Sequence, residues 1–153
     1  TVIVDERDSA DVWGGFRVGR RAVTRTLGLD DDGGVLRLVA EHDGYARQPV
    51  HCVHQREWTL ASDSLTISDM LSNPDVRATA HFHIHPDTVV KMDGPSHGHL
   101  ITATGRTLTW KSDSGGVKIL KSSWHPEFGV ATPTRCLAVP VEQGQAELRF
   151  DWA

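Results

Sequence analysis

From Gln145 to Trp152 apolar and polar side chains alternate without a break. Ala146, Leu148, Phe150 and Trp152 fall on one side, and Gln145, Glu147, Arg149 and Asp151 on the other. A period of two is that of an extended chain with one buried face, so this segment predicts a half-buried antiparallel strand. Val76 to Ile84 alternates in the same way: Val76, Ala78, Ala80, Phe82 and Ile84 make an apolar face, while Arg77, Thr79, His81 and His83 point away, with His85 in the same phase and Pro86 as the stop. Shorter runs predict strands at 1–4, 22–29, 35–41, 50–60, 64–70, 100–104, 108–111, 117–121 and 134–141.

Helical periodicity is nearly absent. The breaks between runs have turn chemistry: Asp30-Asp31-Asp32-Gly33-Gly34 offers side-chain acceptors and residues that tolerate positive φ. Ser112-Asp113-Ser114-Gly115-Gly116 predicts a hairpin connection between Trp110 and Val117, and Ser72-Asn73-Pro74-Asp75 separates two further strands. About ten short strands without helices predict an all-β, antiparallel β-sandwich of two sheets with little or no helix. With 153 residues, no repeat and no low-complexity linker, one domain with one core is expected.

Composition changes the picture mainly by exclusion. At 39% hydrophobic and 24% charged, the chain is neither disordered nor membrane-like, and no apolar run approaches the roughly 20 residues a spanning helix needs. A net charge of −4 argues against a general nucleic-acid binder. It leaves room for a local basic cleft, and Arg17, Arg20, Arg21 and Arg25 cluster with no acid between them; a solvated strand face is the preferred reading of these arginines. No signal peptide is visible, and an opening on Thr1-Val2-Ile3-Val4-Asp5 reads as a fragment of a longer chain. Cys52 and Cys136 stand alone, consistent with one disulfide or with two small buried side chains.

Candidate chemistry gathers in two places. His81, His83 and His85 are spaced two apart, with neighbours about 7 Å from one another along a strand, so that a His-x-His pair can reach one metal; His97 or His99 would supply a further ligand. The competing reading is a set of histidines on a wet or contact-forming surface, which would also expose more apolar area than usual. His42-Asp43-Gly44-Tyr45 holds the only tyrosine, with Arg47 beyond it. His42 or Tyr45 could pass a proton and Arg47 could pair with a carboxylate, although Asp43-Gly44 is also a turn signal and a structural or cleft-lining role is favoured. His51 and His54 fall on opposite faces of a regular strand, and Asp69, in phase with Leu65 and Ile67, predicts a partly buried carboxylate bonded to backbone. There is no GxSxG elbow, phosphate loop or dinucleotide fingerprint.

The order of these motifs resembles a known family. Thr1-Val2-Ile3-Val4-Asp5, Trp13-Gly14-Gly15-Phe16-Arg17, the HDGY tetrad, His51-Cys52-Val53-His54-Gln55-Arg56, Leu65 to Leu71, Phe82-His83-Ile84-His85-Pro86 and Trp124 to Gly129 look like the C-terminal β-domain of the heparinase II/III-like polysaccharide lyases. The resemblance spans nearly the whole chain. It implies β-elimination on a uronate-containing acidic polysaccharide, an upstream α/α-toroid domain, the principal catalytic tyrosine and histidine in that helical domain and the early β-strands, and a periplasmic or secreted setting. It also implies a divalent metal, often zinc, with ligands mainly upstream, and a domain inactive by itself. His42, Tyr45 and Arg47 are then cleft candidates, and His81, His83 and His85 candidate metal ligands. Two other readings stand beside it. One is a carbohydrate-binding or scaffold domain, which two coplanar exposed tryptophans would support. The other is a small His-rich metal-binding β-barrel of the cupin kind, for which the acidic ligand and Gly-rich spacing are missing.

Overall fold

The computed structural model describes residues 1–14 and 17–153. The first half forms β1 (Val2–Val4), β2 (Asp11–Val12), β3 (Val18–Gly19), β4 (Thr24–Asp32), β5 (Val35–Tyr45), β6 (Cys52–Leu60) and β7 (Ser64–Leu71). The second half adds β8 (Ala78–His83), β9 (Val89–Gly94), β10 (His97–Ile101), β11 (Thr107–Ser112), β12 (Lys118–Trp124), β13 (Thr132–Val141) and β14 (Gln145–Trp152). No helix occurs among the described residues. The all-β expectation holds, and the sheets are antiparallel and open rather than closed into a barrel, which removes the cupin-like alternative.

A large sheet runs β4-β5-β6-β7-β14-β11-β10-β9, a small one β1-β8-β13-β12, and β2 pairs with β3 in a separate hairpin. The alternation read from the sequence sets the inner faces. Val2, Val4, Ala80, Leu137 and Val139 from the small sheet share one core with Tyr45, Ile67, Leu71, Trp110, Leu148 and Phe150 from the large one. At roughly 1.5–3 kcal/mol for each large apolar side chain fully buried, this shared layer is the main force holding the sheets together.

Three connections differ from expectation. Ser112 to Gly116 is not a hairpin: both edges of β11 are taken, by β10 and β14, so the chain crosses to β12 in the other sheet. After the two-residue turn Pro95-Ser96, His97 and His99 lie in β10, which is bulged between His97 and Gly98. A Cβ on Gly98 would lie 2.0 Å from the Lys91 carbonyl oxygen, so only glycine lets the bulge close. The HDGY tetrad is a β-bulge inside β5, with the register shifting between His42 and Tyr45. Gly44 is needed there for close approach rather than for positive φ, since a Cβ would stand 2.4 Å from the Ser9 carbonyl oxygen.

Around the Trp13-Gly14-Gly15-Phe16-Arg17 motif, Asp11–Val12 pairs with Val18–Gly19, while Gly15 and Phe16 lie outside the described residues. Cys52 and Cys136 are both buried and both free thiols. Exposed apolar side chains are divided between the ends of the molecule: Leu120 and Trp124 stand on the sheet that bears His81 and His83, but Val23, Leu27, Leu29 and Leu36 crowd the far edge of the large sheet. Apolar exposure is thus present on the His81/His83 sheet and also at the far edge of the large sheet.

Candidate functional site

The buried polar residues of the large sheet collect on its inner face. His42 on β5 stands opposite His54 on β6, and Arg56 on β6 stands opposite Asp69 on β7. Strand parity places His54 and Arg56 together, two residues apart, beside inward-facing Trp58; Ile67, Asp69 and Leu71 follow the same rule on β7. The left-handed backbone at His51 (φ 44°) keeps that residue out of β6, which resolves the phase of the following histidine.

The four side chains form one continuous chain of hydrogen bonds. The Gly44 amide donates to His42 Nδ1 at 3.2 Å. His42 Nδ1 is thus an acceptor, so the ring proton sits on Nε2 and donates to His54 Nδ1 at 3.0 Å. His54 Nε2 in turn donates to Asp69 Oδ1 at 2.5 Å. Arg56 completes the array, with Nε donating to Oδ1 at 2.7 Å and a terminal nitrogen to Oδ2 at 2.9 Å, the two-pronged geometry that suits guanidinium and carboxylate. The Arg56 plane is capped from the small sheet by Phe82, its ring centre 5.0 Å from Cζ.

Burial, then repulsion from His54, lowers the His42 pKa to about 4, so the ring is neutral at physiological pH. Burial alone would raise the Asp69 carboxyl; the hydrogen bonds from His54 and Arg56, with the Arg56 charge, outweigh it and hold the group below its ordinary value. Asp69 was expected to bond backbone. Its partners are side chains instead, because the neighbouring strand presents two donors in register at the same depth.

This arrangement fixes rings and charges rather than offering a free base. Both nitrogens of His42 are engaged. Tyr45 is not a cleft residue: it is fully buried, its hydroxyl donates to the Val2 carbonyl at 2.5 Å, and burial pushes its pKa up to about 12. Arg47 lies on the opposite side of the bulge, exposed, with a loose 3.4 Å contact to Asp43. It lines a small cleft between the β2–β3 hairpin and the bulge, with Arg20, Arg21, Asp43 and Gln48. The three HDGY-region candidates therefore do not converge.

His81, His83 and His85 do not converge either. His81 Nδ1 meets the Thr79 carbonyl, His83 Nδ1 the Ser122 hydroxyl, and the His85 ring packs 5.0 Å from that of Trp124, beyond the end of β8. His99 pairs with Asp93 at 2.8 Å in the other sheet. Among the described residues no three His, Cys, Asp or Glu side chains are grouped as a metal site, so the donors present do not fit a bound zinc ion. The tryptophans also separate. Trp110 is buried and Trp58 and Trp152 pack on the core, leaving Trp13 and Trp124 exposed on different elements.

Comparison with known proteins gives three findings. A family model described as Heparinase II/III-like, C-terminal, matches residues 1–153. A solved structure titled as a heparinase III, the BT4657 gene product with methylated lysines, superposes with a TM-score of 0.73 at 12% identity, covering 100% of this chain and 23% of that one. A second structure of the same heparinase III gives 0.66 at 11% identity, covering 84% of this chain and 21% of that one. At these identities the likeness shows the fold, and this chain spans under a quarter of the structures it matches. No curated protein matches the sequence.

Proposed function

The chain belongs to the heparinase II/III-like family as its C-terminal domain, and on that premise we propose that it is the β-domain of a lyase that cleaves uronate-containing acidic polysaccharide by β-elimination. The observation that carries the reading is the match over all 153 residues. In such a reaction a base removes the proton α to the uronate carboxylate, a cation neutralises that carboxylate, and the glycosidic oxygen leaves with a proton, creating a carbon–carbon double bond.

Within this chain neither His42 nor Tyr45 is free to be the base. Tyr45 is sealed in the core, and His42 has both ring nitrogens committed. The reacting groups then belong to an upstream helical domain, and this domain acts as binding face and rigid support. The His42–His54–Asp69–Arg56 array is the support, because it ties β5, β6 and β7 together at one depth.

The test is the absorbance of the unsaturated uronate product. This chain and the same chain extended upstream are assayed on a panel of glycosaminoglycan, alginate and bacterial exopolysaccharide. Product from the extended chain alone is the expected result. Product from neither, on any uronate polymer, overturns the lyase reading.

A further inference from the structure

We infer that the cleft at one open end of the sandwich, between β9 and the β12–β13 pair, is a binding subsite for a carboxylated sugar. This rests on the acidic-polysaccharide reading and names where that polymer touches the domain.

Lys121 on β12 and Arg135 on β13 are direct cross-strand partners. Two positions along each strand, Ile119 stands opposite Leu137, and both pack in the core. Strand parity therefore aims Lys121 and Arg135 along the same inner face, but past the end of the packed layer, where both are exposed. With Pro86, Thr88, Val89 and Pro133 they line a cleft of about 610 Å³. Sites for small organic ligands run from roughly 300 to 1,000 Å³, so a sugar ring fits with space to spare.

The pairing of the two cations is the unusual observation. Like charges directly opposite one another on antiparallel strands repel. A carboxylate between them would relieve this, yet no Asp or Glu is among the described residues that line the cleft. Among the described residues neither cation is held in an ion pair. Asp87, flanked in sequence by two lining residues, lies 3.7 Å from His85 instead. Two positive charges thus stand unneutralised on a chain whose net charge is −4.

The other polar groups of the cleft are already committed. The Ser122 hydroxyl meets His83 Nδ1 at 2.9 Å, and the Thr134 hydroxyl donates to the Ile84 carbonyl. Charge is therefore what the cleft offers, and a carboxylate between the ammonium and the guanidinium accepts from both. Pro86, Val89 and Pro133 add apolar walls, with Val89 53% exposed. Such walls suit the C–H rim of a sugar ring and give nothing to a small inorganic anion.

The experiment is calorimetric titration of this chain, at low ionic strength, with a glucuronate-containing oligosaccharide, its carboxyl-reduced counterpart, and inorganic sulfate. Lys121→Gln and Arg135→Gln are each expected to weaken binding of the acidic sugar by about fivefold, the scale of an exposed charge pair. Lys121→Glu supplies the missing carboxylate from within. It should pair with Arg135, abolish binding and raise the melting temperature, a gain that loss of a structural contact would not give. Arg149→Gln, on the outer face of the large sheet, should bind like the parent. Equal binding of the reduced sugar, equal binding of sulfate, or an equal loss in Arg149→Gln overturns the subsite. So does unchanged binding in Lys121→Glu. Its failure and that of the lyase reading are separable. An extended chain that makes unsaturated product with kcat and KM unchanged by Lys121→Glu loses the subsite and keeps the lyase. Carboxylate-dependent binding with no product from any chain does the reverse.

Discussion

Replacing Asp69 by Asn should destabilise the domain more than any other single polar change. The carboxylate is 3% exposed and accepts from His54 Nε2, Arg56 Nε and a terminal Arg56 nitrogen. An amide of the same shape presents one oxygen and a pair of N–H donors, so at least one of those donors faces another donor, and the Arg56 charge loses its partner. Arg56 sits under Phe82 with its side chain only 13% exposed, so water does not replace what is lost. Removing one partner of a buried ion pair costs about 3–5 kcal/mol, a large part of the roughly 5–15 kcal/mol that holds a domain folded. With a urea slope of about 2 kcal/mol/M, the unfolding midpoint should fall by about 2 M. The assay is urea denaturation followed by tryptophan fluorescence. Should Asp69→Asn not fold, Arg56→Lys gives a milder reading: it keeps the charge, loses the fork and should cost about 1–2 kcal/mol. The double variant Asp69→Leu with Arg56→Met removes both charges, so it should lose less than Asp69→Asn alone. An Asp69→Asn protein within about 1 kcal/mol of the parent, or a double variant as unstable as the summed singles, would refute the account of an electrostatically closed array.

Three further outcomes are expected. Because the folded pKa of His42 lies below its unfolded value, the unfolded chain binds more protons between pH 6.5 and about 4; stability should fall by about 3 kcal/mol as pH drops through that window, and His42→Gln should flatten the slope in a pH series of melts. Gly44→Ala forces a Cβ against the Ser9 backbone and should cost about 1–3 kcal/mol in urea, an unchanged midpoint showing that the bulge can open at no cost. Tyr45→Phe leaves the Val2 carbonyl buried without a donor and should cost about 1–3 kcal/mol in the same assay; a neutral result would mean that this hydroxyl contributes nothing.

What the chain declares by itself is its period. Alternation over Gln145–Trp152 and Val76–Ile84 names the inward residues one by one, because burial on one face of a strand requires a repeat of two, and those residues are the ones found in the core. The order of short motifs is equally local and was enough to point to the family, as the match over 1–153 shows. What the chain cannot declare is which strand lies beside which. His42, His54 and Asp69 are separated by 12 and 15 residues and meet only because β5, β6 and β7 are neighbours in a particular register. A local reading sees Asp69 in phase with Leu65 and Ile67 and predicts its burial, but cannot supply its partner. The same limit turned Ser112–Gly116 into an expected hairpin and His81, His83 and His85 into an expected cluster. In the fold, cross-strand neighbours decide where a connection goes and what each ring touches, and those neighbours are chosen by packing two sheets around one core.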